Sequence, residues 1–198
     1  MLRQTILGFI ALSAMATYSQ AQPAPTPAPD QGAPPAAARV RPPPDPRYVE
    51  APRAVAPSLA LALEAATTAV GECKTRGYKC TVQVTDAANE PVVLLSGDGA
   101  GMRSLHLMKP KPVSVYMHKT ASSNAREEAK TDPQLADLIK GDSAITFGGA
   151  LPIMVNGEMV GVITVSGTPN GTIDEACGQA GLDKIAARLK MPDGVVRP

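Results

Sequence analysis

Few residues of this 198-residue chain are of types and spacings that do chemistry, and they gather in short stretches. His106 and His118 are the only two imidazoles, and they stand on either side of Lys109-Pro110-Lys111-Pro112. Their spacing matches no paired-His metal motif, and the chain has neither a Gly-rich phosphate loop with its Lys nor a nucleophile elbow, so no catalytic set stands out. Ser166-Gly167-Thr168 follows an apolar run and precedes a helix. Amides at that helix start are of the kind that hold an anion, and an ordinary strand-to-helix turn accounts for the same residues. Asp86 and Asp98 fall in turns, where carboxylates commonly serve the backbone.

Three cysteines complete the inventory, and their meaning depends on compartment. Met1 to Arg3 give a positive start, Ile6 to Ala16 an apolar run and Ser19-Gln20-Ala21 a small-x-small cleavage site, the pattern of an export signal over residues 1–21. The run is too short and too soon interrupted for a membrane span. The expectation is a periplasmic or secreted protein with no membrane span after cleavage. Cys73 and Cys80 then either staple the turn at Gly77 or remain separate thiols, with Cys177 left unpaired. Their spacing fits no zinc pattern.

Twelve of the 20 prolines lie between residues 22 and 57, the composition of an extended tether without a packed core. The folded body is therefore residues 58–198. It holds 14 Lys and Arg against 15 Asp and Glu with no basic run among aromatics, which argues against a nucleic-acid partner.

The elements that must position these residues follow from periodicity and punctuation. Pro57 and Ser58 open an Ala-rich helix that ends near Gly77. Residues 80–85 and 91–95 alternate or run apolar across a turn at 86–90, a β-hairpin. Residues 102–140 favour helix, but Pro110 and Pro112 remove two amide donors and break it. Helix resumes over 113–129, and Asp132-Pro133 opens another that ends near Gly141. Residues 151–155 and 159–165 are strands around Asn156-Gly157, a type I′ turn signal. Gly148-Gly149 just before would bend the strand or admit a ligand or another backbone. Thr172-Ile173-Asp174-Glu175 reads as a capping box opening the last helix. Two hairpins among helices predict an α+β architecture with an antiparallel sheet.

The run TFGGALPIMVNGEMVGVITVSGTPNGTIDEAC, with GYKCTVQVTDAANEPVVLL and LSGDGA before it, resembles the GlcG/HbpS-like family, the haem-binding domain also found at the C-terminus of PduO. The resemblance spans roughly residues 58–190. It implies a profilin- or PAS-like fold, a five-stranded antiparallel sheet flanked by helices, assembled as a homo-oligomer, with haem bound in some relatives. The family's helix motif S-x-x-x-A-x-x-K-A-x-T-A is matched at Ser104 and Lys111, but Pro112 follows the Lys and Ser114 takes the Thr position. For haem iron, His106 and His118 are the ligand candidates, with Met102, Met108, Met117 and Tyr116 as alternatives. Both His also read as surface residues, and the Met as core filler.

Three functions remain open. The leading one is an exported module that binds a small ligand, haem first. The second is an enzyme acting on haem or a small organic acid, with Lys111 orienting an anion beside the amides of Gly148, Gly149 and Gly167; these four residues and Ser114 are the candidate ligand-binding residues. The third is a ligand-free structural oligomer. Outside the leader and tether only Tyr78, Tyr116 and Phe147 are aromatic, so a haem pocket would be lined mainly by aliphatic residues and Met.

Overall fold

The computed structural model describes residues 54–190. The export signal and most of the tether lie outside them. Ser58 caps the first helix, α1 (Leu59–Thr75), accepting from the amide of Leu61, and positive-φ Gly77 follows its end. Two strands come next, β1 (Thr81–Asp86) and β2 (Pro91–Ser96), paired antiparallel. The Asp86 carboxylate holds their turn, accepting the amides of Ala88 and Glu90 at 2.9 Å each.

From residue 97 to 149 the chain forms only short helical pieces. The predicted break at the prolines is there: α2 (Met102–His106) and α3 (Val113–His118) are separate single turns. Helix does not continue to residue 129, because Lys119 takes a left-handed conformation with φ 60° and ends α3. A 3-10 turn (Ser122–Asn124), α4 (Ala125–Glu128) and α5 (Pro133–Lys140) follow, the last capped by Asp132 and closed at Gly141 as expected.

The second hairpin joins β3 (Ala150–Val155) and β4 (Glu158–Ser166) through Asn156 and Gly157, at φ 51° and 83°. Both residues of a type I′ turn need positive φ, which Asn tolerates and Gly takes freely. The last helix, α6 (Gly171–Ile185), is capped by Asn170, whose side chain accepts the amide of Thr172. The predicted capping box at Thr172 is thus displaced: Glu175 instead accepts amides from Gly149 and Ser123.

The four strands form one antiparallel sheet in the order β2-β1-β4-β3. The expected fifth strand is absent among the described residues. The chain before β3, around Ala144, turns back onto α5, where the amides of Ser143 and Ala144 donate to the Leu138 carbonyl. The architecture is otherwise the predicted α+β layer.

Helices α1 and α6 cover one face of the sheet. Their stripe of Ala62, Ala65, Ala66, Ala69, Cys73 and Cys177 is fully buried against Val82, Val84, Ile163 and Val165. Small residues let the two backbones approach closely. A Cβ on Gly181 would come within 2.5 Å of the Ala65 carbonyl oxygen, so Gly is required there. A disulfide joins Cys73 of α1 to Cys177 of α6, with Cα atoms 5.5 Å apart across 104 residues of sequence. The expected Cys73–Cys80 staple is therefore wrong: Cys80 is the free, buried thiol, and Cys177 is bonded. Cys73 sits on the α1 face turned toward α6, which selects its partner.

Candidate functional site

The other face of the sheet is polar and still buried. In-register partners share a face, so Thr81, Gln83 and Thr85 of β1 lie with Ser166, Thr164 and Val162 of β4. All six are buried. Helices α2 and α3 cover them. Ser104 of α2 donates to the Gly101 carbonyl at 2.6 Å, so its oxygen must accept from Thr81, 2.7 Å away. A hydroxyl carries one proton, and Thr81 therefore accepts from Ser96 at 3.2 Å. Farther along, Tyr116 of α3 donates to the Asp86 carbonyl at 2.6 Å and meets Thr85 at 2.6 Å. Burial pushes its phenol up to about 12.

Lys111 anchors the end of this layer. The turn between α2 and α3 drives its side chain inward until it is 1% exposed. Its ammonium donates to the Val165 carbonyl at 2.8 Å and to the Asp174 carboxylate of α6 at 2.9 Å. Burial pushes the Lys111 ammonium below its ordinary range, and Asp174 opposes that shift. The second oxygen of Asp174 accepts the Thr168 amide at 3.2 Å. Gly149 makes room for the pair: at φ 123°, a Cβ there would lie 2.7 Å from the Lys111 nitrogen and 2.4 Å from the Val165 oxygen.

Beside this ion pair a cleft of about 480 Å³ opens between α2 and the turn from β4 to α6. Arg103, Leu107, Lys111, Phe147, Ser166 and Gly167 are among its walls. Phe147 is half-exposed, an apolar ring at the mouth. Among the described residues, no group of three His, Cys, Asp or Glu could hold a metal ion.

Several residues named from the sequence meet here and others do not. Lys111 and Gly167 line the cleft, and Gly149 packs on the Lys111 ammonium. Gly148 lies against α6, where a Cβ on Gly171 would be 2.6 Å from its nitrogen, so the glycine pair serves a close backbone approach. Ser114 is buried without a hydrogen-bond partner and does not line the cleft. His106 is exposed on α2, the helix that supplies Arg103 and Ser104 to the cleft. His118 lies apart, 3.0 Å from the Asp132 carboxylate at the start of α5. Neither His lines the cleft, nor does any Met: Met108 is core and Met102 is exposed. The anticipated lining by Met is thus replaced by Leu107, Phe147 and charged residues.

Arg103 and Asp174 are the contributors that sequence reasoning missed. Arg103 stands among unremarkable charges, and Asp174 reads as a helix-dipole residue until Lys111 is seen beside it. Ser166 was visible only as part of a turn able to hold an anion.

The fold and cleft define a sheet-and-helix domain with a charged, partly apolar ligand cleft at one sheet end. Residues 58–183 match the model of the family described as "Haem degrading protein HbpS-like", and the chain belongs to that family. It is similar to HbpS in a crystal structure, at 28% identity and TM-score 0.59, over 69% of this chain and 94% of that one. A double mutant of HbpS from Streptomyces reticuli gives 29% identity and TM-score 0.57, over 78% and 98%. The fold alone is shared with the PduOC:Heme complex, at 22% identity and TM-score 0.57, over 70% and 98%. No curated protein matches the chain.

The cleft fits part of haem. Arg103 suits haem carboxylates, and Leu107 and Phe147 suit an apolar ring edge. An iron ligand does not come from the lining, which holds no His, Met, Cys or Tyr among the described residues.

Proposed function

We propose that this protein is an exported haem-binding member of its family, holding haem at the cleft beside α2. The observation that carries the reading is the combination of family membership with a cleft that offers both apolar walls and cations. Leu107 and Phe147 would contact the ring, and Arg103 its carboxylates. Haem would supply redox-active iron. His106, though outside the lining, is the residue that would hold the iron, since it is exposed, lacks a partner among the described residues and belongs to the helix that forms one wall. His118 is engaged with Asp132 and is set aside.

Export is supported by the leader pattern and by the Cys73–Cys177 disulfide, a bond that persists in oxidising compartments. Assembly into a homo-oligomer is part of the same proposal, resting on the family resemblance. No described helix is long and apolar enough to cross a membrane.

The test is titration of haem into the purified apoprotein. The expected result is a shifted Soret band saturating at one haem per chain, weakened in His106→Ala and unchanged in His118→Ala. No shift at micromolar haem would overturn the proposal. The family description names haem degradation, so the same samples followed with a reductant separate stable binding from turnover: a steady spectrum supports a binding module, and progressive loss of the band makes the protein an enzyme.

A further inference from the structure

We propose that the closed end of the cleft is a carboxylate subsite, built by the Ser166 hydroxyl, the Arg103 guanidinium and the one uncommitted N–H of Lys111, and that it takes a haem propionate. The proposal deepens the haem reading above and rests on it for the identity of the ligand.

Ser166 is the independent observation. It is 3% exposed, and its register with Thr81 turns its side chain to the polar face, where it lines the cleft. Its neighbours on that face, Thr81 and Ser104, are joined in a chain of hydroxyls, yet the Ser166 hydroxyl has no hydrogen-bond partner among the described residues. The hydroxyl opens onto the cleft, where water or a ligand group can satisfy it. With the Arg103 guanidinium and the Lys111–Asp174 pair in the same lining, that hydroxyl is free to donate to an oxyanion.

Lys111 carries three N–H groups, and two are engaged by Val165 and Asp174. The third remains, and the residue lines the cleft. Asp174 also lines the cleft, and its charge is offset by the Lys111 ammonium 2.9 Å away, so the net positive charge offered to an anion comes from Arg103. Arg103 is exposed and has no ion pair among the described residues, and its planar fork matches a carboxylate. The start of α6 at Gly171 adds its positive end to the same wall. With Leu107 and Phe147 adjoining, the cleft selects an apolar body that carries a carboxylate, rather than a bare inorganic anion.

The experiment titrates haem and haem dimethyl ester into the full-length protein, and into Ser166→Ala and Arg103→Gln. In the wild type the ester should bind at least about 10-fold more weakly than haem, the scale of one charge-assisted hydrogen bond. Each variant should weaken haem and leave the ester unchanged. Both variants should fold, since Ser166→Ala removes an unpartnered hydroxyl and Arg103 is exposed, and a thermal melt checks this. Equal binding of haem and ester by the wild type, or equal weakening of both by the variants, would overturn the subsite while leaving haem binding in place. Succinate serves as the free-acid arm. If haem does not bind but succinate binds and Ser166→Ala releases it, the subsite holds a free organic acid and the haem reading falls. Binding of neither overturns both.

Discussion

The two faces of the one sheet are built on opposite principles. Toward α1 and α6, Val82, Val84, Ile163 and Val165 meet a stripe of Ala, Gly and Cys, close-packed and locked by Cys73–Cys177. Toward α2 and α3, the alternate residues of the same strands are Thr, Gln and Ser with Val162 among them, and the covering segment supplies Ser104, Ser114 and Tyr116 from the helices and Lys111 from the turn between them. The first face gains by removing apolar area from water, at roughly 25 cal/mol per Å². The second gains little from area and depends on each polar group finding a partner. Of the buried side-chain atoms without a partner among the described residues, the Ser114 and Thr164 hydroxyls lie on the second side and the third, Glu128 Oε2, lies on α4; none is on the first side. That imbalance is what separates a scaffold face from a face that can receive a ligand.

Substitutions can break the contrast, and the largest effect belongs to the ion pair. Lys111→Met strands Asp174 in the interior and should cost about 3–5 kcal/mol in urea unfolding. Adding Asp174→Leu should recover most of that loss; a single variant as stable as wild type would show the pair to be unimportant to the polar face. On the dry face, replacing Cys73 and Cys177 together by Ala should cost about 2–4 kcal/mol. Thiol mapping of the native protein should find Cys80 as the single free cysteine among the three.

Cys80 also gives a pH prediction. Burial pushes its thiol up to about 11, with Asp174 adding to the shift. A raised acid means folding favours the neutral thiol, so its contribution to stability is complete below the ordinary thiol range and is lost as pH rises through about 11. Cys80→Ala should flatten that alkaline decline, and at pH near 8 the native thiol should react with a thiol reagent only as fast as the protein opens. Smaller still, Gly181→Ala should cost about 1–3 kcal/mol by forcing α6 away from α1. Smallest is Thr164→Val on the polar face, within about 1 kcal/mol of wild type, because the hydroxyl removed has no partner. A large loss there would mean that the polar face is already satisfied without a ligand.

What was legible in the sequence was local. The Asn156-Gly157 hairpin, the Ser58 and Asp132 caps and the break at Pro110 and Pro112 all declare themselves within a few residues, because turn and cap chemistry is set by neighbours. What depends on distant partners was not legible. Thr81, Gln83 and Thr85 alternate with Val82 and Val84 as in a strand with one wet face, and nothing nearby announces that α2 and α3 will bury them. Cys73 finds its partner 104 residues away, past the nearer Cys80. Glu175 fits a capping box by spacing, but Asn170 takes the cap and the carboxylate goes to Gly149. In the candidate site, Lys111 and Gly167 were named in advance through family resemblance and turn pattern, whereas Arg103 and Asp174 became visible only once α2 and α6 were brought together.

Hydrogen–deuterium exchange with and without haem tests most directly the claim that the polar face is the ligand face. Bound haem should slow exchange in residues 101–118 and 166–171, the helices and turn around the cleft, and leave α1 and β2 unchanged. Slowing confined to α1 or β2, or no change anywhere while the Soret band reports bound haem, would contradict it.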